Sequence, residues 1–217
     1  MSESLDVSSL TLNRLTVYLR CLRHLAEQGV ERISSKEFSH RYQLSPAQFR
    51  KDLAHFGEFG IRGVGYDVGG LIDRLSSLLG LDNQRALVVV GVGNLGRALA
   101  RYFGANERSF RVVGGVDVDP ARIGQRVGDW RVQPASQLAA LVSETGAEIG
   151  VLTVPAQAAQ ENYEALADAG IKAVLNFAPV RLVVREGIHT RNVDIRIFLE
   201  ELGFYLSAES AEPTSAR

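Results

Sequence analysis

A glycine-rich turn follows a short apolar run near the middle of the chain. Residues 87–90 are Leu-Val-Val-Val, and three glycines come directly after them in the pattern G-x-G-x-x-G. In a strand–turn–helix unit, such glycines permit a tight reversal, the approach of a pyrophosphate to the backbone, and close packing of helix on sheet. The N-terminus of the helix offers free N–H groups to phosphate oxygens. The residues predicted to form this dinucleotide-binding turn are Gly91, Val92, Gly93, Asn94, Leu95 and Gly96.

A carboxylate ends the next apolar run. Residues 110–116 form that run, and Asp117 follows it, 26 residues after Gly91. A carboxylate about 20 residues beyond such a turn accepts hydrogen bonds from the 2′-hydroxyl of an adenine ribose. It also repels a 2′-phosphate, and no Arg or Lys follows until Arg122. We therefore predict NAD(H) rather than NADP(H) as the cofactor. A strand–turn–helix that binds no ligand is the alternative.

The composition is that of a globular protein with an uneven charge distribution. Of the 217 residues 46% are hydrophobic, and the formal net charge is −1. Residues 8–66 carry nine Lys or Arg against five Asp or Glu, a mild bias that by itself is weak support for a nucleic-acid surface. Cys21 is the single cysteine, which excludes an intramolecular disulfide and a cysteine-based metal cage, and we expect no metal site. Without a signal peptide or an apolar run of about 20 residues, we expect a cytoplasmic protein with no membrane partner.

The first eighty residues have the pattern of a helical domain. Apolar residues repeat at helical spacing over residues 12–25. Two capping boxes follow, in which a serine stands three positions before Glu or Gln: Ser34 with Glu37, and Ser45 with Gln48. These boxes predict two short helices separated by a brief turn. This arrangement is typical of a helix–turn–helix.

The second helix of such a pair enters the DNA major groove with its N-terminal residues facing the bases. Arg50 and Lys51 are placed to contact DNA, although a solvated helix face is the alternative. The glycine-rich segment 56–66 predicts a two-stranded wing whose arginine suits a narrow minor groove; a flexible linker is the alternative. The residues predicted to contact DNA are Ser45, Gln48, Arg50, Lys51, Arg62, Gly63 and Tyr66.

Strand and helix patterns alternate beyond Asp117. Helices are predicted over residues 137–145 and 156–169, and buried strands over residues 149–154 and 173–177. Repeated βαβ units imply a parallel sheet, in which ligands bind at the carboxyl ends of the strands. Packing at the sheet rim is the alternative for the apolar residues there. The residues at these strand ends are Thr153, Val154, Pro155, Asn176, Phe177 and Ala178.

Four segments resemble one protein family in the same order. The run SPAQFRKDLAHFGEFGIRGVGY at residues 45–66 closely resembles the winged-helix signature of the Rex family of redox-sensing transcriptional repressors. GVGNLG at residues 91–96, LTVPAQAAQ at 152–160 and KAVLNFAPVRL at 172–182 are also similar to that family. The winged-helix run is the most specific of the four, because many families share the glycine pattern.

This resemblance implies an α/β chain of two domains. Residues 1–80 would form a winged-helix DNA-binding domain, and residues 81–208 a Rossmann-type parallel sheet with a C-terminal helix exchanged between the subunits of a homodimer. Residues 209–217 would be a polar tail. The resemblance further implies that residues 153–155 and 176–178 line a cleft for NADH or NAD⁺, and that the partner is palindromic double-stranded operator DNA, released when NADH binds.

The resemblance also implies a switch formed by Arg14, Tyr102 and Asp194. Our hypothesis is that Asp194 ties the other two together across the dimer in the DNA-competent form, and that NADH breaks this tie. The alternatives are a helix-capping role for Asp194 and a surface ion pair for Arg14.

Two other functions remain as alternatives. An NAD-dependent oxidoreductase would need a catalytic dyad, yet no tyrosine has a lysine four residues later. His189, the only histidine after residue 66, stands near Gly187 in an expected surface turn. A coenzyme A-binding module would also begin with a glycine turn, but Asp117 favours a ribose diol. We therefore predict a protein that is not an enzyme and has no catalytic residues.

Overall fold

The structure is a computed structural model that describes residues 7–57, 60–61, 64–106 and 109–211. The chain divides into two compact units, Met1–Asn83 and Gln84–Arg217. Two residues predicted to contact DNA, Arg62 and Gly63, lie outside the described residues.

The first unit combines helices with a small sheet. Within its described residues the elements are α1 (Ser9–Glu27), β1 (Arg32–Ile33), α2 (Ser35–Tyr42), α3 (Pro46–Ala54), β2 (Gly60–Ile61), β3 (Gly65–Asp67) and α4 (Val68–Leu78). The strands form an antiparallel sheet in the order β1–β3–β2. Strand β1 was not predicted, because two residues carry no recognisable alternation. A helix–turn–helix beside such a sheet is a winged-helix fold.

Serine side chains begin both helices of the helix–turn–helix, as predicted. The Ser34 hydroxyl accepts a hydrogen bond from the Glu37 N–H at 3.1 Å, and the Ser45 hydroxyl accepts one from the Gln48 N–H at 3.3 Å. In the second capping box, the bond from the Ser45 N–H to the Gln48 side chain is replaced by another contact. The Gln48 amide donates instead to Asp52 at 2.7 Å, because a carboxylate one turn further along is a charged acceptor.

Aromatic rings form the centre of the first core. Phe38 and Phe49 stack with ring centroids 4.4 Å apart, and Tyr18 meets Phe49 edge-on at 4.9 Å. Tyr66, at the base of the wing, packs edge-on against Phe49 at 5.4 Å. Leucines from α1 and α4 complete the core: Leu15, Leu19, Leu22, Leu25, Leu71 and Leu75. Helix α3 is therefore fixed against both α1 and β3.

The second unit is a doubly wound parallel sheet. Within its described residues the elements are β4 (Arg85–Val90), α5 (Asn94–Asn106), β5 (Phe110–Asp117), β6 (Arg126–Val127), β7 (Trp130–Arg131), β8 (Gln133–Pro134), α6 (Leu138–Thr145), β9 (Ile149–Leu152), α7 (Ala156–Asp168), β10 (Ala173–Asn176), β11 (His189–Asn192) and α8 (Ile195–Ala211). Six strands pair in the order β11–β10–β9–β4–β5–β8, all parallel. This is the Rossmann strand order. The predicted α/β fold class is confirmed.

Side chains of β4 alternate between two cores. Val88 and Val90 pack with residues of α6 and α7, whereas Leu87 and Val89 pack with residues of α5. A strand buried on both faces must be apolar throughout, which explains the continuous Leu-Val-Val-Val run.

The placement of His189 in a surface turn is wrong. His189 is the first residue of β11 and pairs with Ala173 of β10. The strand sequence His-Thr-Arg-Asn is polar and mostly exposed, so it lacks the apolar pattern by which strands are recognised. Its place in the sheet depends on backbone pairing with β10 and on the hydrogen bond from Asn176 to Asn192 at its end.

The C-terminal helix α8 exposes apolar side chains over residues 195–206. Their exposed fractions lie between 52% and 70%. They are Ile195, Ile197, Phe198, Leu199, Leu202, Phe204, Tyr205 and Leu206. Among the described residues no helix combines the length and apolar character needed to span a membrane. A contiguous apolar surface of this kind marks an interaction site.

The third glycine of the turn generates a prediction about stability. A β-carbon on Gly96 would overlap the Gly91 carbonyl oxygen, so Gly96→Ala must force the turn apart. We expect a loss of about 1–3 kcal/mol in the free energy of unfolding, the usual cost of overpacking. Gly104→Ala, on the same helix and with no described atom within 4 Å, is the matched control and should be neutral or slightly stabilising. Chemical denaturation measures both, and equal stability of the two variants would contradict the prediction.

Candidate functional site

The glycine-rich turn lies where the strand order of the sheet reverses. β4 and β9 are neighbours there, and ligands of doubly wound sheets bind in the crevice at their carboxyl ends. Gly91 has a φ of +90°, which residues with side chains rarely adopt. The Thr153 hydroxyl donates to the Gly91 carbonyl oxygen at 2.5 Å, and a β-carbon on Gly91 would meet Val154 at 2.8 Å. The end of β9 is therefore tied to the turn.

The turn has the shape that a pyrophosphate requires. The nearest neighbour of a β-carbon on Gly93 would be the half-exposed Arg122 side chain at 3.5 Å, so no backbone atom blocks the approach of a ligand to this glycine. Asn94 and Leu95 are exposed at the N-terminus of α5, and Pro155 is exposed beside α7. Free N–H groups of a helix N-terminus attract phosphate oxygens. The residues present fit a dinucleotide.

Asp117 ends β5, and its carboxylate is almost completely buried. Oδ2 accepts a hydrogen bond from the Val92 N–H at 2.7 Å, and Oδ1 accepts one from the Asp119 N–H at 2.9 Å. Burial alone would raise the pKa of Asp117, but hydrogen bonds from the Asp119 N–H, the Arg122 guanidinium and the Val92 N–H outweigh it. They hold the pKa of this carboxyl below its ordinary value. The group is ionised at neutral pH.

Arg122 lies closer to this carboxylate than its position in the sequence suggested. Its Nη1 is 3.1 Å from Asp117 Oδ2, and its Nε is 3.3 Å from Asp119 Oδ2. The five-residue separation along the chain is closed by the turn that begins at Asp119, whose carbonyl accepts the Arg122 N–H at 2.9 Å. The carboxylate predicted to select NAD(H) is therefore partly neutralised, and its charge alone does not decide the cofactor.

The strand end at Asn176 has a structural role in addition to its place near the crevice. The Asn176 side chain is fully buried; its amide nitrogen donates to the Val180 carbonyl at 2.9 Å and to Asn192 Oδ1 at 2.8 Å. Its oxygen accepts the Ala178 N–H at 2.9 Å. Phe177 is half-buried against the core on the α5 side. Asn176 thus positions the segment after β10, and direct ligand contact by its amide has no support in these bonds.

Two of the residues predicted to contact DNA are exposed cations on α3. Arg50 donates from Nη1 to the Ser35 hydroxyl at 3.0 Å, and Lys51 is exposed. Ser45 is exposed at the helix start, whereas Gln48 is half-buried. Tyr66 packs in the core, and burial raises the pKa of its hydroxyl. The exposed face of α3 can therefore offer positive charge to phosphates.

The most connected charged group of the first unit, Asp52 on α3, was not predicted. Its Oδ2 accepts hydrogen bonds from Arg14 Nε at 2.6 Å and the Tyr18 hydroxyl at 2.9 Å; its Oδ1 accepts from Arg14 Nη2 at 2.8 Å and Gln48 Nε2 at 2.7 Å. Burial alone would raise the pKa of Asp52, but hydrogen bonds from Arg14, Gln48 and Tyr18 hold it below its ordinary value. The four-residue spacing of Gln48 and Asp52 was the only signal in the sequence.

This buried carboxylate sets the orientation of Gln48. A carboxylate only accepts hydrogen bonds, so Gln48 must turn its NH₂ group toward Asp52. The hydrogen bond to Asp52 therefore fixes which end of the Gln48 amide group faces the carboxylate, and base contact by Gln48 stays a prediction. The same environment affects Tyr18, where burial and the hydrogen bond to Asp52 raise the pKa to about 12.

Of the three residues of the predicted switch, Arg14 lies on α1 in the first unit, whereas Tyr102 on α5 and Asp194 directly before α8 belong to the second. Arg14 is held by Asp52 within its own unit. Asp194 Oδ1 accepts the Arg196 N–H at 3.0 Å, which is the capping contact considered as an alternative. Tyr102 lies on α5 with 55% of its surface exposed. The network that would join them across a dimer stays a prediction.

Comparisons with known proteins follow the same two units. A family model described as the N-terminus of a putative DNA-binding protein matches residues 6–54, and one described as a CoA binding domain matches residues 82–180. A redox-sensing transcriptional repressor Rex from Desulforamulus reducens is 42% identical over 94% of this chain and 98% of its own. Repressor Rex 1 from Thermotoga maritima is 47% identical over 88% and 91% of the two chains.

Solved structures give the same result. RSP in complex with β-NAD⁺ and operator DNA superimposes with a TM-score of 0.90, at 34% identity and 95% coverage of both chains. RSP in complex with β-NADH gives a TM-score of 0.85 at 32% identity, over 95% and 97% of the chains. A winged helix followed by a Rossmann unit defines the class. Within that class, the chain belongs to the Rex family of redox-sensing transcriptional repressors, and the resemblance read from the sequence is confirmed.

The Asp52 cluster generates a prediction about stability and pH. Asp52→Asn should cost about 1.5–3 kcal/mol at pH 7, the contribution of hydrogen bonds to a charged group. Because the folded-state pKa is lowered, this stabilisation is present above the unfolded pKa of about 3.9 and is lost as the pH falls through the folded value. Hydrogen exchange of α1 and α3 amides between pH 7 and pH 3 measures it.

The matched control for that experiment is Asp73→Asn, which changes an exposed carboxylate on α4. It should alter stability by less than about 0.5 kcal/mol. A difference between Asp52→Asn and the wild type that stayed constant down to pH 3 would show that the charge of Asp52 is not the stabilising feature.

Proposed function

We propose that the protein binds operator DNA through its winged-helix unit and releases it when NADH binds to its Rossmann unit. The observation that carries this proposal is the presence of both sites in one chain that is similar along nearly its full length to redox-sensing repressors. The capped helix α3 presents Arg50 and Lys51, and the turn at Gly91–Gly96 has the tight backbone and the helix N-terminus of a phosphate site. A repressor that responds to redox state needs both a DNA-binding surface and a nucleotide-binding site.

The cofactor follows from the shape of the crevice and from the neighbours. RSP was solved with β-NAD⁺ and operator DNA and with β-NADH, and its fold matches over 95% of this chain. In our proposal the turn from Gly91 to Gly96 holds the pyrophosphate and Asp117 holds the adenine ribose. The ends of β9 and β10 face the rest of the dinucleotide through Thr153, Val154, Pro155, Phe177 and Ala178.

The functional unit in this proposal is a homodimer that reads two half-sites of a palindromic operator. Helix–turn–helix proteins pair in this way because the two-fold axis of the protein matches that of the DNA. The exposed apolar side chains of α8 support a dimer in which this helix is covered by a second copy of the chain. Arg14, Tyr102 and Asp194 would carry the NADH signal, since a ligand shifts an equilibrium only by binding its two states differently.

A repressor needs no catalytic residues, and we propose that the protein is not an enzyme and acts in the cytoplasm, where operator DNA lies. The coenzyme A alternative retains one supporting observation, the family model that matches residues 82–180. Coenzyme A and NADH share an adenine nucleotide with a pyrophosphate, so the shape of the turn does not separate them. Coenzyme A is therefore included in the test.

Binding to a DNA duplex, selected by the protein from a random-sequence pool, tests this function directly. Fluorescence anisotropy is measured while NADH, NAD⁺, NADPH and coenzyme A are added separately. We expect NADH to release the DNA at the lowest concentration. NAD⁺ carries a positive charge on its nicotinamide ring, NADPH would bring a 2′-phosphate to the Asp117 carboxylate, and coenzyme A has no nicotinamide ring. The same samples are followed at 340 nm. Release by coenzyme A but not NADH, or steady oxidation of NADH, would overturn the proposal.

The DNA interface has its own prediction. Arg50→Ala combined with Lys51→Ala should weaken binding to all duplexes and reduce the slope of log K against log salt by about 1 for each phosphate that is no longer neutralised. Arg85→Ala combined with Lys172→Ala removes the same charge from the second unit and should leave the slope unchanged. Identical salt slopes for the two double variants would mean that α3 is not the recognition helix.

A further inference from the structure

The carboxylate at the end of β5 is bound by a cation that can move. Arg122 Nη1 donates to Asp117 Oδ2, an oxygen that also accepts the Val92 N–H. The Asp117 side chain is 3% exposed, whereas the Arg122 side chain is 42% exposed and extends from a surface turn. The acid is therefore held by backbone N–H groups, whereas the guanidinium lies at the surface, where it also pairs with the exposed carboxylate of Asp119.

The same guanidinium covers the glycine that a pyrophosphate must approach. A β-carbon on Gly93 would lie 3.5 Å from Arg122 Nη1, 3.8 Å from Cζ and 3.9 Å from Nη2. Three atoms at nearly equal distances mean that the flat side of the guanidinium faces Gly93. Arg122 therefore borders both the ribose-binding acid and the phosphate-binding turn.

Two groups of a dinucleotide compete with the Asp117–Arg122 ion pair: the ribose diol would bind the carboxylate, and the pyrophosphate would bind the guanidinium. The hydroxyls of a ribose diol would donate hydrogen bonds to the Asp117 carboxylate, but Oδ2 of that carboxylate already accepts one from Arg122. A pyrophosphate over Gly93 would bring two negative charges to the guanidinium, and arginine binds phosphate oxygens in a bidentate manner. Exchange of the carboxylate for the pyrophosphate preserves a charged partner for the arginine and frees the oxygen that the ribose needs.

We propose that Arg122 is an exchangeable cation of the nucleotide site: its guanidinium pairs with Asp117 and passes to the pyrophosphate of an entering nucleotide, while the ribose hydroxyls take the released carboxylate oxygen. This inference rests on the proposed function, because it assumes that the turn binds an adenine dinucleotide. In this proposal the binding of adenosine and the binding of pyrophosphate depend on each other, because each requires the Arg122 side chain to move.

Adenosine and ADP separate the two halves of this exchange. In Arg122→Gln, ADP should bind roughly tenfold more weakly than in the wild type, as expected for the loss of a charge-assisted hydrogen bond. Adenosine should bind equally well or more tightly, because Asp117 no longer has a competing cation. Affinities come from NMR titration of ¹⁵N-labelled full-length protein, followed at the Val92 amide, whose hydrogen bond to Asp117 reports the ribose site.

Arg126→Gln is the matched control, because it removes a neighbouring arginine that donates to the Gly128 carbonyl and does not contact Asp117. It should leave the ratio of ADP to adenosine affinity unchanged. If Arg122→Gln fails to fold, Arg122→Lys, which keeps the charge without the bidentate geometry, should still lower that ratio. A proportional change for ADP and adenosine, or none, overturns the exchange. Absence of NADH, ADP and adenosine binding in the wild type would instead overturn the proposed function.

Discussion

A carboxylate removed from water must be supplied with donors, and each half of this chain is organised around one such group. Asp52 and Asp117 are the buried acids among the described residues. An uncompensated buried charge costs several kcal/mol, so each carboxylate needs donors around it, and both have several. Each acid therefore fixes the geometry around it: Asp52 joins α1 to α3, and Asp117 joins the end of β5 to the glycine turn.

The two clusters share an asymmetry between acid and base. In both, the acid is buried and held by several donors, whereas the arginine that neutralises it, Arg14 or Arg122, keeps 35% or 42% of its side chain exposed. A guanidinium loses little hydration at such a surface and can exchange one oxyanion for another. The acids are thus held by several donors inside each unit, and each arginine is the partly exposed member of its ion pair.

The sheet gives the second cluster its place. The strand order puts β4 beside β9, so that the Gly91 turn, the Thr153 hydroxyl and Asp117 converge at one edge. The close approach of Gly96 to the Gly91 carbonyl leaves no space for a side chain, and this tight turn directs the N-terminus of α5 toward the crevice. In the first unit the aromatic rings of Tyr18, Phe38 and Phe49 have the corresponding role, because they hold α3 against α1 while its other face remains exposed.

The sequence determined the fold class, the position of the glycine turn, the serine caps of α2 and α3 and the family, because these depend on local spacing or on long motifs. It did not reveal β11, which pairs through its backbone, or the role of Asp52, whose partners Arg14 and Tyr18 lie more than thirty residues away. Nor did it reveal the ion pair of Arg122 with Asp117 or the hydrogen bond between Asn176 and Asn192. Only the tertiary structure decided these points, because such contacts form where turns and strands bring distant parts of the chain together. The spacing of residues along the sequence does not encode where those parts meet.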